Sequence, residues 1–196
     1  MSMFARMYDL SMTFVERWKL GELRQSIVST ARGRVVEIGA GTGLNFPHYS
    51  AGVWVVASDP DPDMLDRARD RARKSKARVV LVQADAQALP FTDHVFDEAV
   101  VALALCTIPN PLAALEEIGR TLKRGGVLRL IEHVRIDHPA VAGRMQDMIT
   151  PVWRHIAAGC HLNRRPAADV VAAGFVLEGT AFSLGGYIQT ITARTR

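Results

Sequence analysis

Short apolar runs alternate with segments of helical periodicity along most of this 196-residue chain. Each run covers about four to eight residues and ends at turn residues, a pattern typical of strands that are buried on both faces of a parallel sheet. The runs lie at residues 35–38, 53–58, 78–82, 98–105 and 127–133. Because strands that alternate with helices imply right-handed crossovers, the pattern predicts an α/β fold with a doubly wound sheet.

Two segments between the runs carry strong helix signals. Asp61 and Pro62 suit the start of a helix, and apolar positions at four-residue steps predict that this helix extends to about residue 75. Asn110 begins a second helix, and Gly125 with Gly126 is the signal that ends it. The first crossover, at residues 45–49, is predicted to be brief.

The carboxyl-terminal part of the chain predicts a different arrangement. Residues 139–160 have a helical pattern, and residues 174–182 and 187–193 predict two strands with only residues 183–186 between them. So short a connection requires an antiparallel hairpin, because parallel strands need a much longer crossover. The predicted fold is therefore a Rossmann-like, doubly wound, seven-stranded sheet with a reversed terminal strand.

Length and composition narrow the class of protein. The length suits one domain, since domains usually contain about 100 to 200 residues, so we expect residues 1–196 to form a single domain. Two cysteines, Cys106 and Cys160, are too few for a disulfide framework, and the chain lacks the paired Cys/His spacing of a structural zinc site. We therefore expect no bound metal and a location in the reducing cytoplasm. The sequence contains neither a secretion signal nor an apolar stretch of about 18 residues, so we expect no membrane span.

Charge says little about partners. The formal net charge is +4, and basic residues cluster between Arg67 and Arg78, which would suit a nucleic acid. Those side chains also complement the dipole of the predicted helix, and Asp66 and Asp70 give them partners. We therefore expect no nucleic-acid partner and no obligate protein partner. A non-catalytic module that binds a cofactor or a nucleic acid stays a remote alternative.

The candidate chemistry begins directly after the first strand, where Gly39, Gly41 and Gly43 alternate with other residues. Alternate glycines let the backbone approach a ligand where a side chain would collide. The dinucleotide fingerprint G-x-G-x-x-G needs a third glycine where this chain has Leu44, and a P-loop needs a lysine that is absent here. The loop therefore predicts a site for another nucleotide.

An acid follows the second strand. In an open parallel sheet the ligand lies beyond the carboxyl ends of the strands, and a carboxylate there can accept hydrogen bonds from both ribose hydroxyls. Asp59 occupies this position, 22 residues after Glu37 in the first strand. The interval fits one strand, turn, helix, turn and strand, so Asp59 is predicted to accept the hydroxyls of a bound ribose.

The pattern E-x-G-x-G-x-G at Glu37–Gly43 resembles the class I S-adenosylmethionine-dependent methyltransferases, and so does the segment Leu89-Pro90-Phe91 with Val95-Phe96-Asp97. The resemblance implies that S-adenosylmethionine is the cofactor and S-adenosylhomocysteine its product. It also implies that Asp85 and Ala86 bind the adenine. The implied cofactor-binding residues are Glu37, Gly39, Ala40, Gly41, Thr42, Gly43, Asn45, Asp59, Pro60, Met64, Asp85, Ala86 and Leu103.

The same resemblance divides the chain by role. Residues 1–30 carry apolar side chains at helical spacings and are predicted to form an amino-terminal helical lid. Residues 31–134 are the predicted cofactor-binding core, and residues 135–196 supply a helix on the acceptor side and the terminal hairpin. Tyr8 in the lid resembles a residue that lies near the cofactor in quinone methyltransferases.

The methyl acceptor should lie where the fourth and fifth strands end. The motifs of methyltransferases that act on base amines or on pyrimidine carbons are absent there. Several segments instead resemble the methyltransferase-like thiol methyltransferases over roughly residues 34–192, although the hydrophobic amino-terminal anchor of the animal members is lacking. The segments are Leu105-Cys106, Gly125-Gly126, Ile131-Glu132-His133-Val134, Pro151-Val152-Trp153 and Gly159-Cys160-His161-Leu162-Asn163-Arg164.

We therefore expect a methyltransferase that acts on a small, lipophilic acceptor, with a thiol as first choice. A thiol is partly ionised at neutral pH, so a modest base such as His133 or His161 would suffice, whereas an ammonium must first lose its proton. The alternative is a phospholipid amine N-methyltransferase or a quinone or phenol methyltransferase in peripheral contact with a membrane. The predicted acceptor pocket contains Tyr8, Cys106, His133, Trp153 and His161.

Overall fold

The computed structural model describes residues 20–157 and 159–196. We number their elements in chain order. The helices are α1 (Gly21–Val28), α2 (Pro62–Lys74), α3 (Pro111–Thr121), α4 (Ala140–Ile156) and α5 (Pro166–Ala172). The strands are β1 (Arg34–Ile38), β2 (Trp54–Asp59), β3 (Arg78–Gln83), β4 (Phe96–Ala102), β5 (Leu122–His133), β6 (Val176–Ser183) and β7 (Ile188–Arg194). Residues 46–48 and 184–186 form short 3₁₀ turns.

The seven strands form one sheet in the order β3-β2-β1-β4-β5-β7-β6. The strands β3, β2, β1, β4 and β5 are parallel, whereas β7 is antiparallel to both β5 and β6. The predicted doubly wound sheet with a reversed terminal strand is thus confirmed. The reversed strand β7 lies inside the sheet, between β5 and β6, and β6 forms the edge.

Apolar layers cover both faces of the sheet. On one face, Leu115 and Ile118 of α3 pack with Leu128 of β5 and with Phe175 after α5. On the other face, Ala68 of α2 joins a second cluster with the 3₁₀ turn. Because both faces are covered, β1 is buried from its second residue onward. The central strands therefore present functional groups mainly at their carboxyl ends.

The helix starts follow the predicted capping chemistry. The Asp61 side chain accepts a hydrogen bond from the Asp63 N–H at 2.8 Å at the start of α2, and Pro62 takes the first helical position. The Asn110 side chain accepts one from the Ala113 N–H at 3.2 Å at the start of α3. Residues 1–19 of the predicted lid lie outside the described residues, and α1 is the part of it that the structure describes.

Three predicted boundaries are wrong. The fourth strand ends at residue 102 and not at 105, because the backbone of Leu103 turns into the left-handed region with φ of 57°. The helix α3 ends at Thr121, and Gly125 and Gly126 lie within the long strand β5. The predicted helix at residues 139–160 is shorter, at Ala140–Ile156, and α5 was not predicted.

Candidate active site

The glycine loop turns tightly between β1 and the first crossover. A Cβ atom on Gly39 would lie 2.3 Å from the Cβ of Ala104, so only glycine lets this loop approach the segment that follows β4. Gly41 differs, since a Cβ there would meet no atom within 4 Å. The φ angle of Gly41 is +54°, so its freedom serves the turn, and its outer side is open to a ligand.

Asp59, at the carboxyl end of β2, contacts this loop. Its Oδ2 accepts a hydrogen bond from the Gly41 N–H at 2.8 Å, and its Oδ1 accepts one from the Asp61 N–H at 2.9 Å. Burial raises the pKa of the Asp59 carboxyl, while these two backbone hydrogen bonds oppose the rise. The side chain is therefore fixed as an acceptor at the carboxyl end of β2.

Glu37 is fully buried beneath the loop and forms a network. Its Oε1 accepts from Asn45 Nδ2 at 3.0 Å, and its Oε2 accepts from the Tyr49 hydroxyl at 2.7 Å. Arg24 of α1 donates from Nη1 to Asn45 Oδ1 at 2.8 Å. Burial raises the pKa of Glu37 to about 7, although the hydrogen bonds from Tyr49 and Asn45 and the charge of Arg24 act against the rise.

A small cavity collects many of the predicted cofactor-binding residues. It is lined by Arg24, Gly39, Ala40, Gly41, Thr42, Leu44, Asn45, Ala102 and Leu103. Arg24 was not predicted, because the helix that carries it gave no signal of chemistry. Its buried guanidinium places a positive charge at one wall of the cavity, which would suit the carboxylate of an amino-acid moiety.

The predicted adenine-binding residues lie beside Asp59. The Ala84 N–H donates to the Asp59 carbonyl oxygen at 3.2 Å, which holds the end of β3 against the end of β2. Asp85 is exposed, and its Oδ1 accepts from the Gln87 N–H at 2.9 Å, whereas Ala86 is buried. Pro60 is exposed and Met64 is buried in the first turn of α2.

Glu132, near the end of β5, holds the segment that follows β4. Its Oε1 accepts hydrogen bonds from the N–H groups of Ala104 and Leu105 at 2.9 and 2.7 Å, and its Oε2 accepts from Cys106 N–H at 3.2 Å. Burial raises the pKa of Glu132, and these donors oppose the rise. Sequence reasoning missed this role, although a carboxylate in the apolar run at residues 130–134 was an available signal.

Two residues of the predicted acceptor pocket, Cys106 and His133, lie close together with Cys160, which was not predicted there. The sulfur atoms of Cys106 and Cys160 and a ring nitrogen of His133 all lie within 4.8 Å of one another, and Cys160 Sγ is 3.6 Å from His133 Nδ1. A hydrogen bond with Cys106, aided by His133 and Trp153, lowers the pKa of Cys160. The pKa of Cys106 is raised by the same hydrogen bond and by burial.

The remaining acceptor-side residues are arranged around this group. His161 Nδ1 lies 3.3 Å from the carbonyl oxygen of Cys106, and the His161 N–H donates to the same oxygen at 2.9 Å. Trp153 is partly exposed and contributes a side-chain hydrogen bond to Cys160. Tyr8 lies outside the described residues.

A larger cavity of about 410 Å³ lies elsewhere. Among the described residues that line it, none is a predicted site residue. Its lining includes Arg135, Asp137 and Arg165, which pair with one another at 2.7 and 2.8 Å. Size alone therefore does not locate the active site, and the convergence of polar groups at the strand ends is the better guide.

Comparison with known proteins agrees with this geometry. Residues 36–130 match the model of the family described as "Methyltransferase domain". The thiol S-methyltransferase TMT1B of Rattus norvegicus is 33% identical over 144 residues, which cover 72% of this chain and 59% of that protein. Residues 36–130 therefore form a methyltransferase domain of the S-adenosylmethionine-dependent class.

Two further similarities set the limits of this assignment. The phosphatidylethanolamine N-methyltransferase of Cereibacter sphaeroides is 35% identical over 59% of this chain and 58% of its own length. A methyltransferase structure from Thermotoga maritima has a TM-score of 0.69 at 23% identity and covers 97% of this chain and 99% of its own, which supports the fold. The chain spans about 60% of the length of the curated relatives it matches.

S-adenosylmethionine is the cofactor of this methyltransferase class, and the residues present fit it. The open side of Gly41 leaves room for a ligand to approach the loop backbone. Asp59 offers a carboxylate at the position where a ribose binds in such sheets. No helix among the described residues is both long and apolar enough to cross a membrane.

Proposed function

We propose that this chain is an S-adenosylmethionine-dependent methyltransferase whose acceptor is a small, lipophilic thiol. The observation that carries the proposal is the hydrogen bond from the Gly41 N–H to the Asp59 carboxylate. This bond brings the predicted ribose acceptor and the glycine loop to one site. The similarity to thiol S-methyltransferases supports the choice of acceptor.

In this proposal the residues around the glycine loop position the cofactor. Asp59 accepts hydrogen bonds from the ribose hydroxyls, and Arg24 and Asn45 face the amino-acid end. Asp85 and Ala86 would flank the adenine. The bound cofactor supplies an electrophilic methyl group on a sulfonium. The protein then has to align the acceptor sulfur for an in-line displacement and exclude water.

The acceptor side suits a thiol in its polarity. Cys106, Cys160 and Leu162 form a buried cluster against which Tyr187 packs, so an alkyl chain would bury apolar surface there. A thiol needs little help to ionise near neutral pH, and His133 and His161 are imidazoles that could take its proton.

Calorimetric titration with S-adenosylhomocysteine tests the cofactor site. The native protein should bind, and Asp59→Ala should weaken binding at least tenfold. The control Asp70→Ala removes an exposed carboxylate on the far part of α2 and should leave binding unchanged. Failure of the native protein to bind, or equal binding by Asp59→Ala, would contradict the proposal.

A radiolabelled methyl-transfer screen across thiols, amines and quinols tests the acceptor. Transfer to a lipophilic thiol with no transfer to the matching amine is the expected result. Transfer only to amines or quinols would leave the methyltransferase assignment intact and refute the thiol.

A phospholipid amine is the second candidate, and helix α4 is the observation that favours it. Its buried residues are Gly143, Gln146 and Thr150, whereas its opposite side exposes an apolar stripe. The stripe comprises Val141, Met145, Met148, Val152 and Ile156. A helix with an exposed apolar stripe suits the surface of a membrane.

Vesicle co-sedimentation separates the two candidates. If the acceptor is a membrane phospholipid, the protein should bind vesicles that contain phosphatidylethanolamine, and Met148→Glu should release it. Val171→Glu, an exposed apolar position on α5, is the matched control. Absence of vesicle binding would remove the second candidate.

A further inference from the structure

The group formed by Cys106, His133 and Cys160 has a chemistry that methyl transfer alone does not require. It unites both cysteines of the chain, which are 54 positions apart in sequence, with an imidazole from the end of β5. Both cysteines are buried, at 3% and 6% exposure, and no disulfide joins them. Two buried thiols and one partly buried imidazole, all of which can ligate soft metals, therefore lie together.

The spacing of these groups approaches that of a tetrahedral metal site. Zinc lies about 2.3 Å from a thiolate sulfur and about 2.0 Å from an imidazole nitrogen, so tetrahedral angles place sulfur and nitrogen about 3.6 Å apart and two sulfurs about 3.8 Å apart. The observed distance from Cys160 Sγ to His133 Nδ1 is 3.6 Å. The other pairs lie within 4.8 Å, so contraction by about 1 Å completes the geometry.

The surroundings favour a neutral complex with three protein ligands. Before the acceptor binds, two thiolates balance the charge of Zn²⁺, which suits the neighbouring apolar side chains of Leu162, Ala157 and Tyr187. The Arg164 guanidinium interacts with both cysteines and offsets the charge of a third thiolate. The nearby carboxylate of Glu132 already accepts three backbone hydrogen bonds. It also shares a hydrogen bond with the Cys106 thiol, and zinc binding would replace the proton of that thiol. A zinc site with three protein ligands keeps an open fourth position, as catalytic zinc sites do.

We propose that Cys106, His133 and Cys160 bind one Zn²⁺ ion whose fourth position takes the sulfur of the acceptor thiol. This inference rests on the proposed function and refines it, since His133 becomes a metal ligand and His161 is left as the nearby imidazole. The contact between Gly39 and Ala104 links the two sites, since a Cβ on Gly39 would lie 2.3 Å from the Cβ of Ala104, two positions before Cys106. The metal-bound sulfur is thus supplied next to the cofactor loop.

The proposed step balances without an oxidant or reductant. The acceptor thiol binds zinc as a thiolate and releases its proton to solvent. One lone pair of that sulfur forms the new bond to the methyl carbon while the bond from this carbon to the sulfonium sulfur breaks. The products are a thioether, S-adenosylhomocysteine and one proton. The neutral thioether is a weaker ligand than a thiolate and leaves the metal.

Metal analysis of the full chain tests the site without any activity measurement. Protein purified with Zn²⁺ under reducing conditions and dialysed should retain about one zinc per chain. Cys106→Ser and Cys160→Ser should each weaken zinc binding at least tenfold, and His133→Ala should also weaken it. The control His155→Ala removes an exposed imidazole on α4 and should leave zinc binding unchanged.

Cobalt substitution tests the open position. Co²⁺ in the same site should give intense visible bands of tetrahedral cobalt together with thiolate charge-transfer bands. Butanethiol should shift those bands, and butylamine should not. Titration with S-adenosylhomocysteine confirms that each variant is folded, because the cofactor loop does not depend on the two thiols.

Three results would overturn the inference: a native protein that retains no zinc, zinc binding that survives both cysteine substitutions, or a cobalt spectrum that butanethiol leaves unchanged. Thiol methylation that persists in chelator-treated, zinc-free protein would also overturn it while leaving the proposed function intact. Zinc bound as predicted in a protein that methylates no thiol would refute the proposed function and the role of the fourth position, leaving the metal site alone.

Discussion

The buried carboxyl of Glu37 should make the stability of this protein depend on pH in a way that one substitution removes. The side chain is 1% exposed, and its pKa is raised from 4.5 to about 7, with burial as the largest cause. Between these two values the folded protein binds more protons than the unfolded chain. The free energy of unfolding therefore falls as pH rises through this window.

The magnitude follows from the pKa difference. One unit of pKa corresponds to about 1.4 kcal/mol, so the rise from 4.5 to about 7 corresponds to roughly 3 kcal/mol. Glu37→Gln removes the titration but keeps the size of the side chain. One hydrogen bond in the network then has the wrong polarity, because Asn45 and Tyr49 both donate to Glu37, and the protonated carboxyl of the native protein has the same mismatch at low pH.

Urea unfolding of the native protein and of Glu37→Gln, measured from pH 5 to pH 8.5, checks this prediction. The variant should be about as stable as the native protein at pH 5 and more stable at pH 8.5, with a change of about 2.5 kcal/mol in the difference between them. Glu116→Gln removes one exposed carboxylate and controls for the change in net charge. A difference between the native protein and Glu37→Gln that stays constant across this range would refute the reasoning.

Three further predictions concern the glycine loop and the buried hydrogen-bond networks. Gly39→Ala should abolish S-adenosylhomocysteine binding in calorimetry and should lower the free energy of unfolding in urea by more than Gly52→Ala does. Both glycines have positive φ, but only at Gly39 would the added Cβ meet a neighbouring atom, at 2.3 Å. Glu132→Gln should lower the free energy of unfolding by about 2 kcal/mol, because at least one of three buried N–H donors loses its acceptor; an unchanged urea midpoint would contradict this. Tyr49→Phe should cost about 2 kcal/mol at pH 8 and about 1 kcal/mol at pH 5, since its hydroxyl donates to a carboxyl that is ionised only at the higher pH; equal costs at both pH values in urea unfolding would argue against it.

The parts of the fold that follow from local chemistry were predictable. Apolar runs and capping residues such as Asp61 and Asn110 lie within the segments they define. The succession of strands and helices along the chain, and the reversed strand, could therefore be predicted. The prediction that Asp59 accepts ribose hydroxyls followed from the rule that ligands bind beyond the carboxyl ends of parallel strands.

What sequence reasoning missed depends on contacts between distant segments. The fourth strand ends three residues early, where the carboxylate of Glu132 accepts the backbone N–H groups of the next segment, and no local propensity at residues 103–105 reports that contact. Arg24 reaches the cofactor cavity from a helix that otherwise only packs. The two thiols and His133 meet only because the segments after β4 and α4 converge on the end of β5, so their spacing along the chain gave no sign of this contact.

The interior position of β7 has a consequence for biosynthesis. Until residues 188–194 have left the ribosome, the edge of β5 that they pair with has no partner strand, and β6 cannot join the sheet because β7 separates the two. Such an open edge can pair with other nascent chains. A truncation of residues 188–194 would therefore remove both β7 and β6 from the sheet.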